Sequence, residues 1–244
     1  MSFGMNVHAP TAYPAVASPG TGKLPTVRIQ KRGYHHGDLR AALIATGLDL
    51  LEREGIEAVT LRGLAQALGV SHTAPKNHFA TLDDLRAALA TEGFWRLGHD
   101  LRRTAAEKTE DDARLIAVCE AYIRFAVEHS ALYQLMVSPI LYAGERLDLT
   151  EASAAAYNVL HEAAYRMQWP AGRRAVPENV DMPWMIWTML HGHAHLSISA
   201  FRQGRSLETA LAGLRDILPP MRFVAQQEAE LSALRDAMRR GGAV

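Results

Sequence analysis

The stretch from Thr60 to Thr81, TLRGLAQALGVSHTAPKNHFAT, constrains this chain more than any other part of it. Thr60 is a natural N-cap, and Leu61, Leu64, Ala65 and Leu68 recur at helical spacing on one face. Gly69 can adopt the positive φ that ends a helix, Val70 can fill the corner, and Ser71 is placed to cap a second helix. Two short helices joined by a tight glycine turn are the layout of a helix-turn-helix DNA reader. No Asp or Glu occurs from Ala58 to Leu82, as a surface that approaches phosphates requires.

Charge supports this reading only locally. Lys plus Arg and Asp plus Glu both number 26, so affinity for a polyanion must come from an uneven distribution rather than a basic coat. The first carboxylate is Asp38, and Lys23, Arg28, Lys31 and Arg32 all precede it. A single cysteine, Cys119, excludes an intramolecular disulfide and fits a reducing compartment. No apolar run is long enough to span a membrane and no signal-peptide pattern is evident, which predicts a soluble, cytoplasmic protein.

The remainder reads as all-α. Residues 1–27, rich in Pro, Gly, Ala and Ser without periodicity, are expected to form a disordered arm. A helix from about Asp38 to Glu54 should end at Gly55. Thr81 with Asp84 three residues on resembles a capping box, opening a long helix from Leu82 to about Ala106. Further helical stretches follow at about 111–129, 130–137, 148–168, 180–203 and 206–240, the last interrupted by Pro219-Pro220. Period-two alternation is absent, so no sheet is assigned. The expected division is a three-helix DNA-binding domain over 28–82 and a helical-bundle ligand-binding and dimerisation domain over 83–244.

The segment from Gly33-Tyr-His-His-Gly-Asp-Leu-Arg through Asn77-His-Phe79 resembles the N-terminal domain of tetracycline-repressor-like (TetR) regulators. The later chain is similar to the variant whose ligand domain carries a Trp-His-Gly signature, here Trp187-Thr-Met-Leu-His191-Gly192. His129-Ser-Ala-Leu-Tyr-Gln-Leu-Met136 is a second landmark. The resemblance implies a homodimeric repressor on palindromic double-stranded operator DNA, released by a small-molecule effector, with residues about 72–78 as the recognition helix. Two positions depart from the family pattern: Lys76 stands where an aromatic, commonly Tyr, is usual, and Leu82 where Lys is usual.

DNA contacts are assigned to Thr60, Arg62, Ser71, His72, Thr73, Lys76, Asn77 and His78, with Arg28 and Arg32 from the preceding segment. Asn77 can pair bidentately with adenine, and Lys76 can donate to guanine or phosphate. Arg28, Lys31 and Arg32 fit either a minor-groove arm or a solvated linker. Tyr34-His35-His36 suits phosphate contact or helix packing rather than a metal.

Tyr122, Met136, His161, Trp184, Trp187, His191 and His195 are the candidate effector contacts, since Met and aromatic walls with few polar groups suit small-molecule sites. The same types also build ordinary cores. His191 and His195 share a helix face, which leaves a helical-bundle metalloenzyme using His161, His191 and His195 as the alternative. No HExxH pattern or neighbouring carboxylate cluster supports it, so no metal, cofactor or catalytic residue is assigned. A DNA-binding architectural protein without a sensor is a third reading.

Dimerisation is expected through the 180–203 and 206–218 helices. The first carries small residues at Gly192, Ala194, Ser197, Ser199 and Ala200, and the second an apolar stripe of Leu207, Leu211, Leu214, Ile217 and Leu218.

Overall fold

The computed structural model describes residues 39–142, 144–168 and 182–218. The expectations placed on the arm, on Arg28, Lys31, Arg32, Tyr34–His36 and Asp38, and on the chain beyond residue 218 lie outside these residues.

Helix α1 spans Leu39–Glu54 and α2 spans Leu61–Leu68. A 3-10 turn, Ala74–Asn77, follows, and then α3, Leu82–Ala106. Beyond these come α4 (Asp111–Glu128), α5 (Ser130–Met136), α6 (Leu147–Gln168) and α7 (Met182–Arg202). A last helix, α8, covers 207–218. No strand occurs among the described residues. The all-α expectation and most helix limits match within a residue or two.

The long helix α3 organises the rest. Its start is held by a reciprocal cap: Thr81 Oγ1 accepts from the Asp84 amide at 3.1 Å, and Asp84 Oδ2 accepts from the Thr81 amide at 3.0 Å. Its far end is stitched to α4 by Arg114, whose guanidinium donates to the carbonyls of Ala105, Lys108 and Thr109. Ala105 lies in the last turn of α3, and Lys108 and Thr109 lie in the link to α4.

Along its length α3 buries Leu85, Leu89, Phe94, Leu97 and Leu101. Two glycines let neighbouring helices close on it. A Cβ at Gly93 would stand 2.7 Å from Met136 Sδ and 3.0 Å from Leu132 Cδ1, so α5 packs where only hydrogen fits. A Cβ at Gly98 would stand 3.4 Å from the Cα of Ala156, marking the approach of α6.

The expected boundary between residues 82 and 83 falls within one continuous hydrophobic core. Leu43, Leu51, Val59, Leu64 and Phe79 belong to the same buried cluster as Tyr122, Leu160, Leu190 and Leu214. Division into a reading part and a sensing part is therefore not a break in packing.

The dimerisation stripes need correcting. Ala194 and Ser197 are buried within this chain, as are Leu211, Leu214 and Leu218. Of the expected residues, Gly192 and Ser199 lie on the uncovered face of α7, beside Met185 and Leu196, which is 73% exposed, and Ile217 of α8 is also exposed. The expected small-residue stripe thus mixes two faces of α7, and packing against α4 and α8 separates them.

Forcing a side chain between α3 and α6 tests this packing. Gly98→Val should lower unfolding free energy by about 1–3 kcal/mol through overpacking, read as a fall in the thermal midpoint. An unchanged midpoint would contradict the close approach.

Candidate nucleic-acid interface and sensor cluster

The reading surface begins at α2. Thr60 Oγ1 accepts the Gly63 amide at 2.9 Å, filling the N-cap role its position suggests. Gly69 closes the helix with φ 66° and ψ 28°, its amide reaching back to the Gln66 carbonyl at 3.2 Å. The Val70 amide meets the Ala65 carbonyl at 3.0 Å, so both end carbonyls are satisfied within the turn.

The chain after Val70 differs from the expected Ser71-capped helix over 72–78. Ser71 caps no backbone amide; its hydroxyl lies 3.2 Å from that of Thr73. The backbone forms only the 3-10 turn Ala74–Asn77, with Lys76 N–H on the Thr73 carbonyl at 3.1 Å and His78 N–H on the Pro75 carbonyl at 3.0 Å. Pro75 explains the shortening, since it contributes no donor and its ring disfavours α geometry at Ala74. Pro75 and Phe79 are buried and anchor the turn on the core, with the Arg40 guanidinium 5.6 Å above the Phe79 ring.

Burial of those two anchors turns the polar residues outward. Thr60, Arg62, Ser71, His72, Thr73, Lys76, Asn77 and His78 are all exposed. The anchored turn therefore presents hydroxyls, two imidazoles, an ammonium and an amide on a surface without carboxylates. Leu82, where the resembled family usually has Lys, packs against the core. Among the described residues, Lys76 and Arg62 are exposed cations on this surface. Arg28 and Arg32 lie outside the described residues.

A second constellation joins α4, α5, α6 and α7. Tyr122 and Tyr133 are buried with hydroxyls 3.1 Å apart, and the Tyr122 hydroxyl lies 3.3 Å from His191 Nδ1 and 3.5 Å from its Nε2. His191 Nδ1 also stands 3.0 Å from the Trp187 carbonyl one turn back, a contact that needs the proton on Nδ1. The Trp187 ring lies 4.4 Å from His191 and meets Tyr122 and Tyr157 edge-on at 5.6 and 5.2 Å. His195 lies 5.9 Å from Tyr133, and Tyr157 is 5.8 Å from His161, which stacks on Tyr165.

Of the seven expected effector contacts, the structure brings Tyr122, Trp187 and His191 into direct contact. His195 and His161 sit at the edges. Met136 lies at the α3–α5 contact, and Trp184 is partly exposed near the start of α7. Tyr133 and Tyr157 belong to the cluster, although the sequence alone assigned them no role. The available signal was the spacing of four in Tyr157, His161 and Tyr165, matching that of Trp187, His191 and His195.

Burial sets the charge state here. Desolvation pushes His191 below its ordinary value, with His195 adding to the effect and the Trp187 carbonyl opposing it. Burial drives the Tyr122 hydroxyl well above the usual phenol range and Tyr133 up to about 12. Tyr122, Tyr133 and His191 are thus held in their neutral forms, polar but not ionic. Cys119 is buried with its thiol raised by desolvation, which makes it an inert core residue.

Among the described residues no group of three His, Cys, Asp or Glu side chains is arranged to hold a metal ion. His191 is engaged with Trp187 and Tyr122. His195 Nδ1 faces the His191 carbonyl at 3.0 Å, and His161 is exposed beside its tyrosines. The alternative metal site at these three histidines therefore does not assemble.

Two polar contacts tie the reading elements to the rest. Arg146, just before α6, donates to Asp84 Oδ1 at 2.9 Å, and this guanidinium holds the Asp84 carboxyl below its usual range. His129, at the α4–α5 junction, lies 3.0 Å from Glu52 of α1.

The sequence profile of the family described as "Tetracyclin repressor-like, C-terminal domain" matches residues 115–216. An HTH-type transcriptional regulator of Mycobacterium tuberculosis is 28% identical over 162 residues, covering 66% of this chain and 70% of its own. Residues 115–216 are thus a tetracycline-repressor-like (TetR) C-terminal domain, and the chain is similar to HTH-type transcriptional regulators. A solved structure of a protein of unknown function from Rhodococcus sp. RHA1 is 31% identical with a TM-score of 0.63, covering 76% of this chain and 96% of that one. The TetR-family regulator PfmR from Thermus thermophilus, 22% identical with a TM-score of 0.50 over 70% of this chain and 93% of its own, shares the fold. The profile spans the whole aromatic and histidine cluster.

His191 gives a pH signature with a definite sign. Its folded value lies below the unfolded value near 6.5, so the unfolded chain binds the proton more readily. The stability it contributes is complete above about pH 7 and declines as pH falls toward 5. His191→Gln should flatten that part of the profile of thermal midpoint against pH; an unaltered slope would show His191 to be solvated.

Proposed function

We propose that this chain is a homodimeric repressor whose exposed turn around Ala74–Asn77 reads a palindromic operator and whose aromatic cluster senses a small molecule. The carrying observation is the acid-free reading surface, on which buried Pro75 and Phe79 aim Lys76, Asn77, Thr73 and His72 outward. A turn anchored in this way holds its backbone ready at a groove, so that binding orders only the exposed side chains. Asn77 supplies base readout and Lys76 a point-charge contact in place of the usual aromatic.

The dimer reading is supported by α7, whose uncovered face pairs exposed Leu196 and Met185 with the small residues Gly192 and Ser199. Apolar surface of that kind favours burial, and small residues permit close helix approach. A two-fold pair would offer reading turns to successive major grooves about 34–36 Å apart.

The effector reading, of the Trp-His-Gly type, is supported by the uncharged polar groups of the cluster. Tyr122, Tyr133 and His191 group hydroxyls and an imidazole beside the Trp187 and Tyr157 rings, which suits a largely apolar, neutral ligand. A ligand that parts these rings pushes α6 and α7, both in the core shared with α3, and so tilts α3 and the reading turn. Coupling requires that operator and effector favour different conformers, and it is reciprocal.

Selection from random duplexes followed by fluorescence anisotropy tests the interface. Asn77→Ala should cost about 1–3 kcal/mol on the selected duplex and relax specificity at one base pair, while Lys76→Ala should weaken all duplexes alike and reduce the salt slope by about 1. Wild-type binding without sequence preference would overturn the reading. Leu196→Glu should convert the protein to monomer by sedimentation and abolish tight binding to the full palindrome. A dimer that persists would place the interface elsewhere.

A further inference from the structure

A cleft of about 700 Å³ opens between α1, α3 and the start of α6, within the size range of small-molecule sites. None of its lining residues belongs to the aromatic cluster. We propose that it binds a small organic cation with an aromatic or quaternary ammonium head.

Its floor is apolar, made by Ile44, Ala87, Ala88 and Leu149. One wall carries the Trp95 indole, 38% exposed, an unusual position for so large an apolar ring on a helix that buries Phe94 beside it. An open indole face attracts cations by its quadrupole, most strongly where water is partly excluded.

Charge sets the sign of the occupant. The lining includes five carboxylates (Asp84, Glu92, Glu145, Asp148 and Glu151) against two guanidiniums, Arg40 and Arg146. Arg146 is committed to Asp84, Arg96 to Glu92, and Arg40 lies over Phe79. Glu145, Asp148 and Glu151 form no ion pair with any described residue, so the cleft holds uncompensated negative charge over an apolar floor. The α6 dipole accounts for Asp148, which lies in its first turn. It does not account for Glu145, which precedes the helix, or for Glu151, one turn further in. Three separately solvated acids would be an ordinary surface. Set around a concave apolar floor beside an indole, they make a receptor for a positive, partly apolar guest and repel anions.

Position gives the site a consequence. Asp84 and Arg146 line the cleft, and the same Asp84 closes the cap at the start of α3. A cation here competes for the carboxylate that Arg146 holds, at the element joining the reading turn to the long helix.

Benzyltrimethylammonium, titrated by calorimetry into the full chain, tests the proposal, with 3-phenylpropionate as the anionic counterpart. We expect saturable binding of the ammonium with a Kd on the order of 1 mM, weakened by added salt, and no binding of the anion. Trp95→Leu should weaken it at least fivefold. The triple substitution Glu145→Gln, Asp148→Asn, Glu151→Gln should weaken it at least tenfold, with both variants retaining wild-type circular dichroism. No saturable binding, equal binding of both probes, or affinity untouched by both variants would overturn the proposal.

Discussion

The reciprocal cap between Thr81 and Asp84 is the contact on which the working geometry depends. Asp84 accepts the Thr81 amide with one oxygen and the Arg146 guanidinium with the other. A single carboxylate therefore fixes where α3 begins and binds that point to the segment that starts α6. The reading turn ends only a few residues earlier, at buried Phe79, so its direction follows from how α3 is set. At the other end Arg114 closes the α3 terminus onto α4, and Gly93 and Gly98 bring α5 and α6 against its middle. The helix is thus held at both ends and packed tightly between them, the condition for moving as a rigid member rather than bending.

Local signals were legible in the sequence because short-range chemistry decides them. Thr60, Gly69, and the Thr81–Asp84 pair each act within four residues, and each forms the predicted cap or stop. Features that depend on distant partners were not. Ser71 has the right chemistry for a cap, yet Pro75 limits the chain after it to a 3-10 turn. The apolar stripe of α8 reads equally well as an interface or a core, and only its burial within the chain decides that Leu211 and Leu214 are core. Met136 and Tyr133 sit three residues apart on one helix, but one packs against Gly93 and the other on Tyr122. No local pattern separates those roles.

The two candidate small-molecule sites differ in their physics. The Tyr122–His191 cluster is desolvated and uncharged, so it discriminates by shape and by hydrogen bonds that must be met once water is excluded. The cleft beside Trp95 is open and negative, so it discriminates by charge and responds to salt. They share α3 as a neighbour but no residue. The reading surface depends on asymmetry of a third kind: a chain with no net charge keeps every carboxylate out of Ala58–Leu82 and exposes its donors there.

The central claim is that two copies of this turn are presented as a pair whose separation is set by α3. Electron paramagnetic resonance on His72→Cys carrying a nitroxide label measures that separation directly, because the native Cys119 is buried and does not compete for the label. On a selected palindromic duplex the two labels should lie about 35 Å apart, and a ligand that lowers DNA affinity should move the distribution away from that value. Absence of any intermolecular distance, or a distance identical with and without a ligand that abolishes DNA binding, would contradict the account.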